Sequence, residues 1–218
     1  MIFKINSITD DLIQSAYDEA MMKFNDFWGV GWDTNTPYVI VVENREDFDV
    51  LLAKKTENWT SASAFFGNRP GERRLYVLDF KNINQLSSQK YDENGYKALI
   101  RHELCHLFYK IVSKGPTGPA WLSEGASVYL SGQNDLMTRP NKFDGFIEAN
   151  GEKMAKAYNE GGYVVEMLVT KFGKEKFIKL ISSLSEVKIE GDFDKIFEGI
   201  YGFKLNYETI NGIYLENK

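Results

Sequence analysis

Both histidines of this 218-residue chain fall in one stretch, RHELCHLFYK at 101–110, four positions apart with a glutamate directly after the first. The apolar residues around them recur at helical spacing, so the stretch is expected to be an α-helix. On a helix, His102, Glu103 and His106 share one arc, while Ile100, Leu104, Leu107, Phe108 and Ile111 take the roughly opposite one. Histidine pairs are commonly satisfied core residues, but these two lie off the apolar stripe and share their face with a carboxylate. Side chains at i and i+4 stand one above the other, so both imidazoles can reach one Zn²⁺ at ~2.0–2.1 Å. Glu103 is then placed to take a proton from a water on the metal rather than to ligate. Cys105 points about 100° away from this face and reads as a packed thiol.

A catalytic zinc takes three protein ligands and keeps one position open. No further histidine exists, so the third ligand must be a carboxylate. Glu124 is the candidate. It lies in PAWLSEGASVYLSG, the next helical stretch, after a GPTGP break at 115–119 that lets the chain fold back. Trp121, Leu122, Ala126, Tyr129 and Leu130 make that helix too apolar for free exposure, and a buried carboxylate needs a partner.

Along the rest of the chain, a first helix of about 17 residues is expected from Leu12 to Phe27, with Ser7 and Thr9 as capping candidates, ending near GVGW. YVIVVEN reads as a short buried strand, REDFDVLLAKK as a helix, NWTSASAFFGNRPGE as a turn-rich segment marked by Gly67, Pro70 and Gly71, and RRLYVLDF as a second strand. From Glu93 the pattern is helical, with elements near 119–131, 147–171, 174–185, 192–201 and 206–214. The expected fold class is α+β: a single domain over 1–218, with a small mixed α/β lobe over about 1–114 and a helical lobe over about 119–218. The metal site falls between them. A formal charge of −5 without a Lys/Arg-dense stripe argues against nucleic-acid and anionic-membrane partners. The chain shows neither a signal-peptide pattern nor 18 consecutive apolar residues, and its single cysteine forbids an intrachain disulfide, so a cytoplasmic location is the expectation.

HELCH and WLSEGASVY together resemble the gluzincin metallopeptidases, in the peptidase MA-like and aminopeptidase N-like branch, whose pattern is HExxH followed by W-L-N-E-G-x-A-x-Y. A third segment, YNEGGYVVEMLVTKFGKEKF at 158–177, is similar to the branch's Y-x-K-G segment, with Tyr158, Gly161 and Gly173 on the family's tyrosine and glycines. The resemblance spans roughly 95–180. It implies a zincin-like fold, one zinc per chain on His102, His106 and Glu124, and a peptide or protein substrate. It also implies that the Tyr158 hydroxyl stabilises the tetrahedral oxyanion, with Tyr163, one turn on, as the competitor. Two departures stand out. GAMEN, the branch's anchor for a free amine, is absent; SAFFGNRP lies about where it would fall, and Asn68 is no anionic anchor. Val128 cannot supply the acidic partner of a ligating histidine, which leaves Ser127 or a backbone carbonyl to orient one.

The expected activity is zinc-dependent peptide hydrolysis with Glu103 as general base. The substrate would run along an exposed strand edge near Phe65–Asn68 or strand 73–80. Two other readings share these residues: a zinc-bearing peptide- or protein-binding module with little turnover, and a non-peptidase amide hydrolase.

Overall fold

The computed structural model describes residues 11–34, 36–67, 72–189 and 191–216. Ser7, Thr9, Asn68, Pro70 and Gly71 lie outside them. The class is α+β. Helix α1 (Asp11–Trp28) leads through positive-φ Gly29 and Gly31 to strand β1 (Tyr38–Val42), helix α2 (Arg45–Leu51), the strands β2 (Ala62–Phe66) and β3 (Arg73–Leu78), and the short helix α3 (Phe80–Leu86). The sheet order is β1-β3-β2, with β1 parallel and β2 antiparallel to β3. Among the described residues, β1 is therefore an edge strand, and Tyr38–Ile40 are exposed or half-buried, where the apolar run alone suggests a buried strand. β3 is the buried one, from Leu75 through Leu78. β2 and α3 arise where the sequence reads as turns and as the end of a strand.

Helix α4 (Glu93–Val112) is capped by Asp92, whose carboxylate accepts from the Gly95 N–H, and the Tyr96 hydroxyl donates to the Leu78 carbonyl at 2.9 Å. α4 is thereby pinned to the end of the central strand. α1 covers one side of it through the Phe24–Phe108 and Trp28–Tyr109 edge contacts. The 115–119 connector, with Gly115 and Gly118 at positive φ, turns the chain into α5 (Ala120–Ser131). The helical part continues with α6 (Met154–Asn159), α7 (Gly161–Phe172), α8 (Lys174–Ser182), α9 (Asp192–Tyr201) and α10 (Tyr207–Leu215). The single helix expected over 147–171 begins only at Met154, after a 3-10 turn at Gly151–Lys153, and is two helices that meet at a corner on Glu160.

α5 and α7 cross at contact distance because glycines face each other. A Cβ on Gly125 would lie 2.5 Å from the Gly161 carbonyl oxygen, and one on Gly161 would lie 2.7 Å from that of Trp121. This crossing sets the distance between Glu124 and the α6–α7 corner. Among the described residues, no helix is long and apolar enough to cross a membrane.

Candidate metal centre

α4 and α5 pack so that three side chains converge. His102 Nε2 lies 3.1 Å from His106 Nε2 and 3.2 Å from Glu124 Oε2, and His106 Nε2 lies 3.4 Å from the same oxygen. His102 is buried, at 4% exposure, while His106 and Glu124 retain 20% and 18% of their side-chain surface. Three lone-pair donors are therefore turned toward one point with an opening on one side. This group could hold a metal ion. Its dimensions fit one: ligand atoms ~2.05 Å from an ion and tetrahedrally arranged are ~3.35 Å apart, close to each edge of this triangle. Two imidazoles and a carboxylate suit a first-row transition ion rather than Ca²⁺ or Mg²⁺.

The outer nitrogens are held as well. A ring that offers Nε2 to a metal carries its proton on Nδ1. His102 Nδ1 is 2.8 Å from Gln133 Oε1, and His106 Nδ1 is 3.2 Å from Ser127 Oγ. Ser127 was one of the two options open in the sequence. Gln133 was missed: it follows Gly132, the left-handed C-cap of α5 at φ 84, in a single 3-10 turn that folds its side chain back onto α4. The SGQ run after an apolar helix is the signal for that turn, though not for its target.

Charges follow the geometry. Burial alone would lower the His106 pKa, but the Glu124 charge and hydrogen bond, with Glu103 beyond, hold it above the usual imidazole value. Burial likewise works against the Glu124 charge, yet His106 and His102 bring its carboxyl far below the usual range. Cys105 is buried, donates to the Ala126 carbonyl, and is pushed up to about 12 by burial, so it is a packed thiol.

Glu103 and Tyr158 both line a cavity of about 750 Å³ that opens beside the triangle. The Tyr158 ring stacks near His102, with centroids 6.0 Å apart. Burial first, then the charges of Glu124 and Glu103, raise its hydroxyl pKa well above the ordinary tyrosine value. Tyr158 stands two residues before the buried Glu160, whose Oε2 accepts from the backbone N–H groups of Asp144, Gly145 and Phe146 at 3.0–3.1 Å. That clamp gives the tyrosine a fixed base. Tyr163 is elsewhere: its hydroxyl donates to the carbonyls of Asn134 and Met137, both at 2.9 Å.

Among the described residues, the wall on the sheet side is Trp59–Ala62 and Gln89–Tyr91, rather than Phe65–Gly67 or strand 73–80. Arg45 of α2 fastens this wall, donating to Thr56 Oγ1 and to the carbonyls of Thr60 and Leu86. Compared with known proteins, the sequence matches no protein-family model, and no curated protein matches it.

Proposed function

We propose that the chain is a zinc-dependent peptidase of zincin-like architecture that hydrolyses peptide bonds in the cleft between its sheet and its helical part. One observation carries this reading. His102, His106 and Glu124 converge within 3.1–3.4 Å, and a further carboxylate, Glu103, lies on the wall of the adjoining cavity. A purely structural metal site has no use for a base beside an open cleft.

When bound by His102, His106 and Glu124, zinc supplies Lewis acidity, polarising a carbonyl and making water a stronger acid near neutral pH. Glu103 accepts a proton from the attacking water as its oxygen bonds to the carbonyl carbon, and returns that proton to the amine as the C–N bond breaks. Tyr158 keeps its hydroxyl proton because burial and the two carboxylates raise its pKa, so it donates to the oxygen on which negative charge develops. Among the described residues, β2, the antiparallel edge strand, has a ladder partner on one side only, and Ala62 at its start is on the cavity wall. An extended peptide can add to the other side.

The test is metal analysis with a broad peptide-library digest, on the parent and on Glu103→Gln. The parent should carry about one zinc and cleave peptides. The variant should keep zinc and fold while losing ~10²–10⁴ in rate. Zinc without cleavage of any peptide would leave a binding module; cleavage confined to non-peptide amides would make the chain an amide hydrolase. Absence of zinc, with no rise in Tm on its addition, would reject the reading altogether.

A further inference from the structure

The cavity beside the metal ligands carries an unusual rim. Trp59 on the sheet side and Leu136 on the helical side are 47% and 53% exposed, and both line it. The lining also includes Leu99, Val128, Met137 and Met154. Large apolar side chains left in water along the lining of one cleft mark a binding surface rather than a core. Methionines in such a place adapt to ligands of differing shape.

The charged lining residues do not form an anchor for a chain end. The Lys90 amine already donates to the carbonyls of Asn84 and Ser87, so a terminal carboxylate would have to compete with two existing hydrogen bonds. Glu152, the carboxylate on the wall besides Glu103, is exposed, where an ion pair with a terminal amine gains little.

We propose that this cleft selects an internal, apolar stretch of an extended polypeptide, gripped between Trp59 and the Leu136–Met137 rim, rather than a free chain terminus. The proposal rests on the peptidase reading and adds to it the class of substrate. A side chain entering the cleft removes its own apolar surface and that of Trp59 and Leu136 from water, so selectivity comes from both walls at once.

Trp59 supplies the assay. The other three tryptophans, Trp28, Trp32 and Trp121, are buried, so acrylamide quenching of the fluorescence reports chiefly on Trp59. Ten-residue peptides blocked at both ends, one with Phe-Leu at its centre and one with Ser-Ser there, are titrated into zinc-loaded Glu103→Gln protein, which binds without turning over. The apolar peptide should protect Trp59 from quenching and bind at least ~10-fold more tightly than the serine peptide. Leu136→Ser, at an exposed position that leaves the fold intact, should remove most of that preference, and the protection signal should vanish in Trp59→Phe.

Equal affinity of the two peptides would overturn the proposal. So would binding that requires a free amine and is lost in Glu152→Gln, because the cleft would then hold a terminus. Cleavage by the parent without apolar preference would sink this inference and leave the peptidase reading standing. Apolar-selective binding with no cleavage by the parent would do the reverse.

Discussion

Replacing Gly125 by alanine should lower stability, although alanine is the better helix former by ~1 kcal/mol. The new Cβ would sit 2.5 Å from the Gly161 carbonyl oxygen and 2.6 Å from its carbon. Contacts between such atoms normally settle near ~3.5 Å, so α5 and α7 must part by about 1 Å. Both struck atoms are backbone, and no side chain can rotate away to relieve them. Overpacking of this kind costs ~1–3 kcal/mol, and the upper part of that range applies. Less the propensity gain, a net loss of ~1–2 kcal/mol remains, or a Tm lower by ~2–8 °C for a chain of this size. Gly199→Ala is the matched control. It lies in α9 with nothing within 4 Å of its added Cβ, so it should gain ~0.4–1 kcal/mol and melt slightly higher. Because Glu124 precedes Gly125 and Tyr158 stands on the far side of the crossing, Gly125→Ala should also weaken zinc retention in chelator competition. Calorimetric melts of the three proteins decide the matter. A Gly125→Ala protein as stable as the parent would refute the close-crossing account.

Gln133→Leu should lower zinc affinity ~10–100-fold by chelator competition with circular dichroism unchanged, since the His102 ring loses the acceptor that fixes its tautomer. Tyr158→Phe should lower kcat by ~10²–10³ on any cleaved peptide with little change in KM or Tm. Tyr163→Phe should act the other way, sparing kcat but costing ~1–3 kcal/mol of stability, because two carbonyls lose their donor. The pH dependence of stability should differ between zinc-free and zinc-loaded protein. In zinc-free protein the raised His106 pKa means that its charged pairing with Glu124 contributes below the unfolded value and is lost as pH rises through the folded one. Zinc replaces that proton, so the zinc-dependent rise in Tm should grow between roughly pH 6 and pH 8. A zinc increment that shrinks over this range would show that His106 is not a ligand.

The elements legible in the sequence are those whose apolar periodicity is long and whose ends carry a stop. α5 runs from Ala120 to Ser131 between its caps Pro119 and Gly132, and α9 and α10 end within a residue of their expected bounds. β2 was hidden because ASAFF sits among turn-forming residues and has no alternation to betray it; it is a strand because β3 gives it a partner. α3 was hidden because its Phe80 continues the apolar run of β3, and the Asp79 cap between them looked like part of the strand. At 147–171 the apolar residues continue in helical period through Glu160, yet the chain turns there. The turn is fixed by a carboxylate satisfying backbone groups of a distant loop, and Gly161 is needed for contact with α5 rather than for its dihedral angles.

The same distinction separates the parts of the site. Two histidines and a glutamate within little more than one helical turn are a local pattern, readable from spacing alone. Glu124 required a further step, elimination of other donors plus an apolar neighbourhood that could not tolerate a lone carboxylate. Gln133 and the cleft wall could not be reached this way. Their roles depend on where Gly132 turns the chain and where Arg45 fastens the 56–60 segment, and neither is periodic. The candidate metal ligands and the proposed substrate wall thus stand on different kinds of segment. The triangle is built into two long helices locked to each other and to β3. Trp59, Leu136 and Met137 stand on turns whose side chains can change without moving α4 or α5. Substitutions there should alter which peptides bind and leave zinc affinity near the parent's, whereas changes at the α5–α7 crossing should alter both.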